Sequence, residues 1–196
     1  NEDVDYIKEF LSEKDCVIAG STWGKDHEIL TNYINRSKSD LKYILAPHEI
    51  NKEEINNLKS FIKKKTVLFS ELNNENIKLA SVIIVDNIGT LSKLYKYASL
   101  AYIGGGFNGE GKLHNTLEAA VFGLPIIIGK YYSKFPEAVS MIGNGGMFSV
   151  NNAESLKNKI DELIRDKEKL HQTGALNSSF INSKIGATQS ILTNLK

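Results

Sequence analysis

The residues with the clearest chemical potential lie between positions 104 and 118. A loop with five glycines in ten residues, 104–113, leads directly into His114, Asn115 and Glu118. Glycine lets a ligand approach the backbone closely, and amides at a helix start suit an anion. Asn115 can cap the following helix, while Glu118, one turn on, can accept hydrogen bonds from both hydroxyls of a ribose. This segment therefore predicts a site for a phosphorylated nucleotide.

A purely structural role for the same residues is the alternative. The glycines could serve a tight turn with several positive φ angles, and Glu118 could reach back to the Asn115 amide in a capping box. Neither role excludes contact with a ligand. We favour a binding function because the loop follows a predicted strand and leads into a helix.

Two familiar phosphate-binding motifs fit the loop incompletely. Its first, third and fourth glycines match G-x-G-x-x-G, but the next strand ends at Gly129 without the acid that would hold a dinucleotide ribose. Its third and fifth glycines with Lys112 match G-x4-G-K, but Leu113 stands where a Ser or Thr should bind magnesium. A dinucleotide fingerprint and a P-loop are therefore both disfavoured.

The composition narrows the class of protein. Of 196 residues, 41% are hydrophobic and 24% charged, which is typical of a globular domain. Lys and Arg total 24 against 23 Asp and Glu, so a dedicated nucleic-acid binder is not indicated. The single cysteine, Cys16, cannot form a disulfide within the chain and is expected to be a buried small hydrophobe. The four histidines lack metal-ligand spacing, so we expect no metal site.

Short apolar segments alternate with longer amphipathic ones along the chain. We predict about six strands, at residues 16–20, 43–46, 66–70, 82–85, 100–103 and 126–128, with a further candidate at 147–150. Helices are predicted at 26–35, 52–63, 91–97, 115–122, 134–142, 153–166, 167–182 and 187–195. Most strands are apolar on both faces, as in parallel sheets covered by helices. The pattern indicates one α/β domain over residues 1–196, a Rossmann-like doubly wound parallel sheet with helices on both faces.

Such folds bind ligands beyond the carboxyl ends of their strands, at the point where the strand order reverses. The loops to consider are those that follow the predicted strands, at residues 21–25, 47–50, 86–90, 104–113 and 129–134. The glycine-rich loop is one of them. The predicted fold therefore places the glycine-rich loop where a ligand is expected to bind.

The order of several short motifs resembles one enzyme family. The motifs are Ala-Gly-Ser-Thr-Trp at 19–23, Ala-Pro-His-Glu at 46–49, Gly-Thr-Leu with a following Tyr and Ala at 89–98, the glycine loop through Glu118, and the segment 129–135. Together they resemble the C-terminal half of GT-B glycosyltransferases. More specifically, they resemble the 3-deoxy-D-manno-octulosonic acid (Kdo) transferases of lipopolysaccharide assembly.

The resemblance implies that this chain binds the donor, CMP-Kdo, without a metal ion or another cofactor. By the same resemblance, the donor-binding residues would be Ser21, Thr22, Pro47, His48, Gly89, Thr90, Gly105, Gly106, Phe107, Lys112, His114, Asn115 and Glu118. A terminal helix at 187–196 would pack toward an N-terminal domain.

The family resemblance places the acceptor site elsewhere. It implies that the N-terminal domain, which has no counterpart here, binds the lipid A precursor and carries the catalytic base. We therefore expect no catalytic residue and no transfer activity in this chain, and no contact with nucleic acid. The full-length protein would work at the cytoplasmic side of the bacterial inner membrane, with membrane contact only through the missing part.

Two departures from the family pattern leave alternatives open. His48 stands where the family has Arg, so a partly charged ring replaces a permanent cation, and Lys130 replaces a Pro. One alternative is the C-terminal domain of another GT-B enzyme that uses a UDP-sugar. The other is a nucleotide-binding module without catalytic chemistry. The Gly-Ser-Thr-Trp and Ala-Pro-His segments favour Kdo.

Overall fold

A single parallel sheet forms the centre of the molecule. The computed structural model describes residues 2–184, with side chains from residue 6 onward. The strands are β1 (Cys16–Thr22), β2 (Lys42–Pro47), β3 (Thr66–Leu68), β4 (Val82–Ile84), β5 (Leu100–Ile103), β6 (Ile126–Ile128) and β7 (Met147–Ser149). They lie in the order β3-β4-β2-β1-β5-β6-β7. The predicted doubly wound parallel sheet is confirmed, but with seven strands rather than about six, because β7 pairs with β6.

Helices of very different length connect the strands. They are α1 (Glu2–Leu11), α2 (Gly24–Arg36), α3 (Lys52–Phe61), α4 (Asn76–Leu79), α5 (Leu91–Leu94), α6 (Leu117–Ala120), α7 (Pro136–Gly143), α8 (Ala153–Arg165) and α9 (Lys167–Lys184). The helix predicted at 115–122 is a single turn, α6, and the one predicted at 91–97 ends in a 3₁₀ turn. The predictions missed α1 and α4. The helix predicted at 187–196 lies outside the described residues.

The sheet separates two apolar cores. On one face, alternate strand residues such as Ile18 and Ile44 pack with α1, α4 and α7. On the other, their neighbours Val17 and Leu45 pack with α2, α3 and α8. Since successive side chains of a strand point to opposite faces, both sets must be apolar. This double burial explains why the strands lack a polar face.

The strand order reverses between β1 and β5. From β1 the chain proceeds to β2 on one side, whereas β5, β6 and β7 extend the sheet on the other. The loops after β1 and β5 therefore diverge to cover opposite faces and leave a crevice between them. The glycine-rich loop follows β5, so the structure places it at this crevice.

Candidate functional site

The loop after β1 begins with a backbone irregularity at Ser21. The pairing of β1 with β2 shifts register between Gly20 and Thr22. Ser21 has φ of 52°, a left-handed conformation that is uncommon outside glycine. The bulge turns the Ser21 carbonyl toward Gly104, where a Cβ atom would lie 2.2 Å from that oxygen. The Ser21 hydroxyl has no hydrogen bond to any described residue, so it is available to a ligand.

A buried carboxylate, Asp26 in the first turn of α2, joins this loop to the glycine-rich loop. One of its oxygens accepts hydrogen bonds from the amides of Trp23 and Gly105, both at 2.9 Å, and from the Asn108 side chain at 3.3 Å. The other accepts from the Tyr102 hydroxyl at 2.5 Å. Burial, reinforced by the charge of Asp26, raises the pKa of Tyr102 well above its usual range. Tyr102 therefore stays protonated and donates to Asp26.

The contacts of Asp26 define the role of Gly105, which the resemblance assigns to the donor site. The Gly105 amide is bonded to a carboxylate inside the protein. Gly105 also has φ of 92°, and a Cβ there would meet the Lys112 carbonyl oxygen at 1.9 Å. Gly105 thus shapes the loop instead of offering its amide to a ligand.

The backbone packing around Gly106 shows a similar role. A Cβ on Gly106 would lie 2.7 Å from the Gly129 nitrogen, in the loop after β6. The glycines at 104, 105 and 106 are thus required where three loops pack backbone to backbone. By contrast, Gly109 and Gly111 have positive φ and nothing near the position of a Cβ. Close packing therefore accounts for the first half of the loop, and only its second half faces open space.

The resemblance assigns Thr22 to the donor site, and in the structure its hydroxyl is bonded inside the protein. The residue is buried, and its hydroxyl lies 2.8 Å from Nε2 of His27. Nδ1 of His27 lies 3.1 Å from the Glu54 carboxylate. Burial lowers the pKa of His27 although the nearby charge of Asp26 opposes this. These contacts fit a neutral His27 ring that donates from Nδ1 to Glu54 and accepts from Thr22 at Nε2. They fix the end of β1, from which the loop after β1 begins.

Phe107 is another residue that the resemblance assigns to the donor site, and its side chain is buried in the core that α2, α3 and α8 cover. It anchors the glycine-rich loop to the sheet. Pro47, likewise buried, ends β2 and positions His48 after it. Both residues therefore support the site through packing.

Three aromatic rings from three different loops meet at the mouth of the crevice. The rings of Trp23 and His48 stack with centroids 4.4 Å apart, and those of His48 and His114 lie 4.3 Å apart. The Trp23 indole donates a 2.7 Å hydrogen bond to Nε2 of His114. Burial, followed by the charge of His48, lowers the pKa of His114, which keeps Nε2 free to accept this bond. The loops after β1, β2 and β5 are thus joined by one cluster.

Asn115 and Glu118 form an exposed polar pair next to the crevice. The Asn115 side-chain oxygen accepts from the Leu117 amide at 3.0 Å, and its amide group donates to Glu118 at 3.2 Å. Glu118 thus contacts the Asn115 side chain, and the capping box to the Asn115 backbone, its alternative structural role, is not formed. The charge of Glu118 is close enough to Tyr95 to raise its pKa, after the larger effect of burial. The Glu118 carboxylate remains accessible to a ligand.

The other predicted residues lie around this centre. Lys112 is exposed within the glycine-rich loop, and Gly89, with φ of 84°, is exposed in the loop after β4. Thr90 begins α5, and no side-chain hydrogen bond caps that helix. An exposed pair of Lys134 and Glu110, 2.9 Å apart, links the loops after β6 and β5. The positions of these residues are consistent with an open surface around the crevice.

Three residues around the candidate site, Asp26, Tyr95 and Trp23, were not predicted to have a role there. The Tyr95 hydroxyl fills the place of a Cβ on Gly20, at 2.1 Å from it, and so sets the end of β1. The sequence shows Asp26 only as an acid in the first turn of a predicted helix. Its contact with position 105 could not be predicted from residue types, because the partner is a backbone amide. The sequence indicates Tyr95 and Trp23 only as members of the family-like motifs at 89–98 and 19–23.

Neither a metal cluster nor a membrane span occurs in the part of the chain that is described. Within residues 2–184, no group of three or more His, Cys, Asp and Glu residues is placed to hold a metal ion. Over the same residues, every helix is too short or too polar to cross a bilayer.

Comparison with known proteins identifies the relatives of this chain. The model of the family "Glycosyl transferases group 1" matches residues 63–177. The 3-deoxy-D-manno-octulosonic acid transferase of Haemophilus influenzae is 31% identical over 189 residues, 91% of this chain and 43% of that protein. The enzyme of the same name from Aquifex aeolicus is 33% identical over 164 residues, 79% of this chain and 43% of the relative. The chain thus spans less than half the length of these relatives.

Solved structures support the same architecture. The C-terminal CMP-Kdo binding domain of WaaA from Acinetobacter baumannii superposes with a TM-score of 0.75 at 21% identity, covering 91% of this chain and 98% of that one. At this level of identity the likeness concerns the fold. The resemblance to Kdo transferases that the motifs indicated is confirmed by the sequence relatives.

Proposed function

Since the chain belongs to the glycosyl transferases group 1 family, we propose that it is the donor-binding domain of a Kdo transferase and that its ligand is CMP-Kdo. The sequence relatives are named as 3-deoxy-D-manno-octulosonic acid transferases, and the superposed bacterial domain is named as a CMP-Kdo binding domain. We propose the same activity for the full-length protein and the same ligand for this chain. This proposal rests on the site as well as on the resemblance.

The observation that carries the proposal is the convergence of three loops at the strand reversal. Trp23, His48 and His114 form one ring cluster there, and Asn115 and Glu118 follow directly after it. Flat rings offer a surface against which a nucleobase can pack, while an exposed carboxylate accepts hydrogen bonds from ribose hydroxyls. The arrangement supplies complementary groups for the base and sugar of a nucleotide.

The remaining free groups suit the charged parts of the donor. The Ser21 hydroxyl can donate to the phosphate, the Asn115 amide group can donate to the phosphate or the sugar, and the Lys112 ammonium can neutralise the phosphate or the Kdo carboxylate. Thr22 and Gly105, whose polar groups are bonded internally, position these groups. We place Gly89 and Thr90 at the edge of the same surface.

The proposed reaction is a direct displacement at the anomeric carbon of Kdo, with inversion. A hydroxyl of the lipid A precursor attacks that carbon, the bond to the CMP phosphate oxygen breaks, and CMP leaves with the bonding electrons. A base from an N-terminal domain takes the hydroxyl proton. The residues of this chain stabilise the charge that develops on CMP, through hydrogen bonds and the Lys112 cation. No metal ion or other cofactor takes part in the proposed reaction.

The proposal extends to the cellular setting of the full-length protein. The acceptor would be a lipid A precursor held by the N-terminal domain, and the enzyme would act at the cytoplasmic side of the bacterial inner membrane. Membrane contact would come from parts outside this chain.

Calorimetric titration with CMP, UMP and UDP tests the donor assignment. We expect saturable binding of CMP and weaker binding of UMP and UDP. Strong binding of UDP without a response to CMP would assign the chain to a UDP-sugar enzyme. If folded protein bound none of the three nucleotides, the donor-binding proposal would be refuted.

A further inference from the structure

A second concavity lies at the opposite edge of the sheet from the proposed donor site. It has a volume of about 500 Å³ and lies between the last turns of α2 and α8, with Tyr33, Leu41 and Ile164 among its walls. Because α2 has 13 residues and rises 1.5 Å per residue, the two sites are about 20 Å apart. The volume is within the usual range for small-molecule sites.

The lining of this amino-edge cavity is strongly basic. Arg36, Lys38 and Arg165 line it, and none of them forms an ion pair with another described residue. The lining carboxylate, Asp161, already accepts from Lys157 at 2.8 Å and from the Tyr33 hydroxyl at 2.9 Å. The charges of these three cations are therefore balanced by solvent alone, and the cations repel one another. An anion in the cavity would be attracted by all three.

The positions of the arginines in this chain also indicate an anion site at the amino-edge cavity. Only two of its 24 basic residues are arginines, Arg36 and Arg165, and both line this cavity. Each ends a helix, where any cation is favourable, and Lys8 and Lys59 serve at other helix ends. A planar guanidinium differs from lysine by offering two parallel hydrogen bonds to a phosphate or carboxylate. The convergence of the two arginines therefore indicates recognition of an oxyanion.

Hydroxyl groups lie beside the cations of this cavity. Ser37 and Ser39 are among its lining residues, and their hydroxyls lie 2.5 Å apart. Behind the wall, the buried ring of Tyr43 meets that of Tyr33 edge-on, with centroids 6.2 Å apart. A hydroxyl can donate a hydrogen bond to a phosphate oxygen, so the lining hydroxyls suit the same kind of ligand as the cations.

We propose that this cavity is a binding site for a phosphate group, carried either by a small soluble molecule or by the headgroup of an anionic lipid. Arg36 and Arg165 bind the phosphate oxygens, and Lys38 adds a third positive charge. The apolar side chains of Leu41 and Ile164 contact the organic part of the ligand. The site is separate from the proposed donor site and does not depend on the identity of the donor.

Titration of the 196-residue chain with inorganic phosphate and with pyrophosphate tests the site. Chemical shifts of the Leu41 and Ile164 methyl groups should saturate, while those of residues near Trp23 should change little. The double variant Arg36→Gln/Arg165→Gln should weaken binding about tenfold or more, because charged hydrogen bonds are lost. Arg36→Lys/Arg165→Lys keeps the charge, and its affinity for phosphate should lie between those of the parent chain and Arg36→Gln/Arg165→Gln.

The matched control is Lys63→Gln/Lys65→Gln, which removes two exposed lysines of the same edge that do not line the cavity. It should bind phosphate like the parent chain. The variants that keep the arginine charge or change Lys63 and Lys65 should unfold at the temperature of the parent, since the exchanged side chains are exposed. Arg36→Gln/Arg165→Gln should stay folded and unfold at a slightly lower temperature, because it loses two cations at helix ends. The proposal fails if neither anion shifts the cavity signals, or if the Arg36→Gln/Arg165→Gln variant binds as tightly as the parent.

A sedimentation assay with vesicles separates the two sources of phosphate. Vesicles of phosphatidylcholine with phosphatidic acid are compared with phosphatidylcholine alone at 0.15 M salt, a physiological ionic strength. Binding to the acidic vesicles that is lost in Arg36→Gln/Arg165→Gln, but kept in the lysine control, assigns the site to a lipid headgroup. Saturable binding of free phosphate without vesicle binding assigns it to a soluble phosphorylated molecule. In either case, Arg36→Gln/Arg165→Gln should bind CMP with the affinity of the parent chain, because the proposed donor site lies at the other edge of the sheet.

Discussion

Glu118 offers an exposed carboxylate whose one described partner is the Asn115 side chain, at 3.2 Å. If it binds the ribose, Glu118→Ala should weaken CMP binding by about tenfold, since hydrogen bonds to a charged group are lost. The fold should remain intact because the side chain is exposed. Calorimetry measures the affinity, and circular dichroism monitors the fold.

The matched control for this substitution is Glu154→Ala. Glu154 is also exposed in the first turn of a helix, but at α8. It should leave CMP binding unchanged. Unfolding of Glu118→Ala, with no loss of affinity in the folded fraction, would show that the residue serves the helix instead of the ligand.

At His27, the buried neutral ring makes the stability of the protein depend on pH. Its pKa is lowered in the folded state, so between that value and the ordinary value of 6.5 the unfolded chain binds more protons. The free energy of unfolding should therefore be highest above about pH 6.5 and decrease as the pH falls through the lowered folded pKa. Urea denaturation at pH 7.5 and pH 5 measures this difference.

Substitution of the ring isolates its contribution to the pH effect. His27→Gln should lower the stability at pH 7.5 and reduce the difference between the two pH values. His171→Gln, at an exposed position on α9, is the control and should leave the difference unchanged. An undiminished difference in His27→Gln would assign the effect to other groups.

At the scale of elements, Asp26 connects α2 with the glycine-rich loop and β5. Asp26→Ala leaves the Tyr102 hydroxyl and the Gly105 amide without their buried acceptor. We expect a loss of about 3 kcal/mol in the free energy of unfolding and much weaker nucleotide binding. Urea denaturation gives the first quantity and calorimetry the second. Glu28→Ala, exposed on the same helix, should change neither.

The contact between the loops after β5 and β6 makes a separate prediction. Gly106→Ala would place a Cβ 2.7 Å from the Gly129 backbone, which cannot move without shifting β6. The variant should be less stable by about 2 kcal/mol, a typical cost of overpacking. Gly143→Ala, at the end of α7 with no atom near the added Cβ, should have little effect or be slightly stabilising. Equal stability of the two variants in urea would contradict the packing described here.

At the scale of the whole molecule, the described structure is one sheet whose carboxyl edge is open. The chain spans 43% of its relatives from Haemophilus influenzae and Aquifex aeolicus. We predict that the 196-residue chain binds CMP but transfers no Kdo to a lipid A precursor, because the proposed base belongs to another domain. A radiolabelled transfer assay beside the full-length protein checks this. Transfer by the chain alone would mean that a base lies within these residues.

The fold class and the edge of the sheet that carries the candidate loops follow from local patterns in the sequence. Double-sided apolar strands separated by amphipathic segments are local patterns, and each can be recognised without knowing its neighbours. Six predicted strands and the further candidate at 147–150 all pair in the structure. The same local patterns placed the loops around His48, His114 and Glu118 at the carboxyl edge. The helices α1 and α4 were not predicted, because both depend on burial against the sheet.

Long-range packing sets which polar groups are bonded inside the protein and which remain free. The carboxylate of Asp26 bonds to the Gly105 amide, 79 residues away, and the Thr22 hydroxyl turns inward to His27. Likewise, Arg36 and Arg165 come together only because α2 packs against α8. The direction of a side chain and the partner of an amide depend on elements that are remote in the chain. Residue types and spacing therefore predict the edge of the sheet, while long-range packing selects the groups that act there.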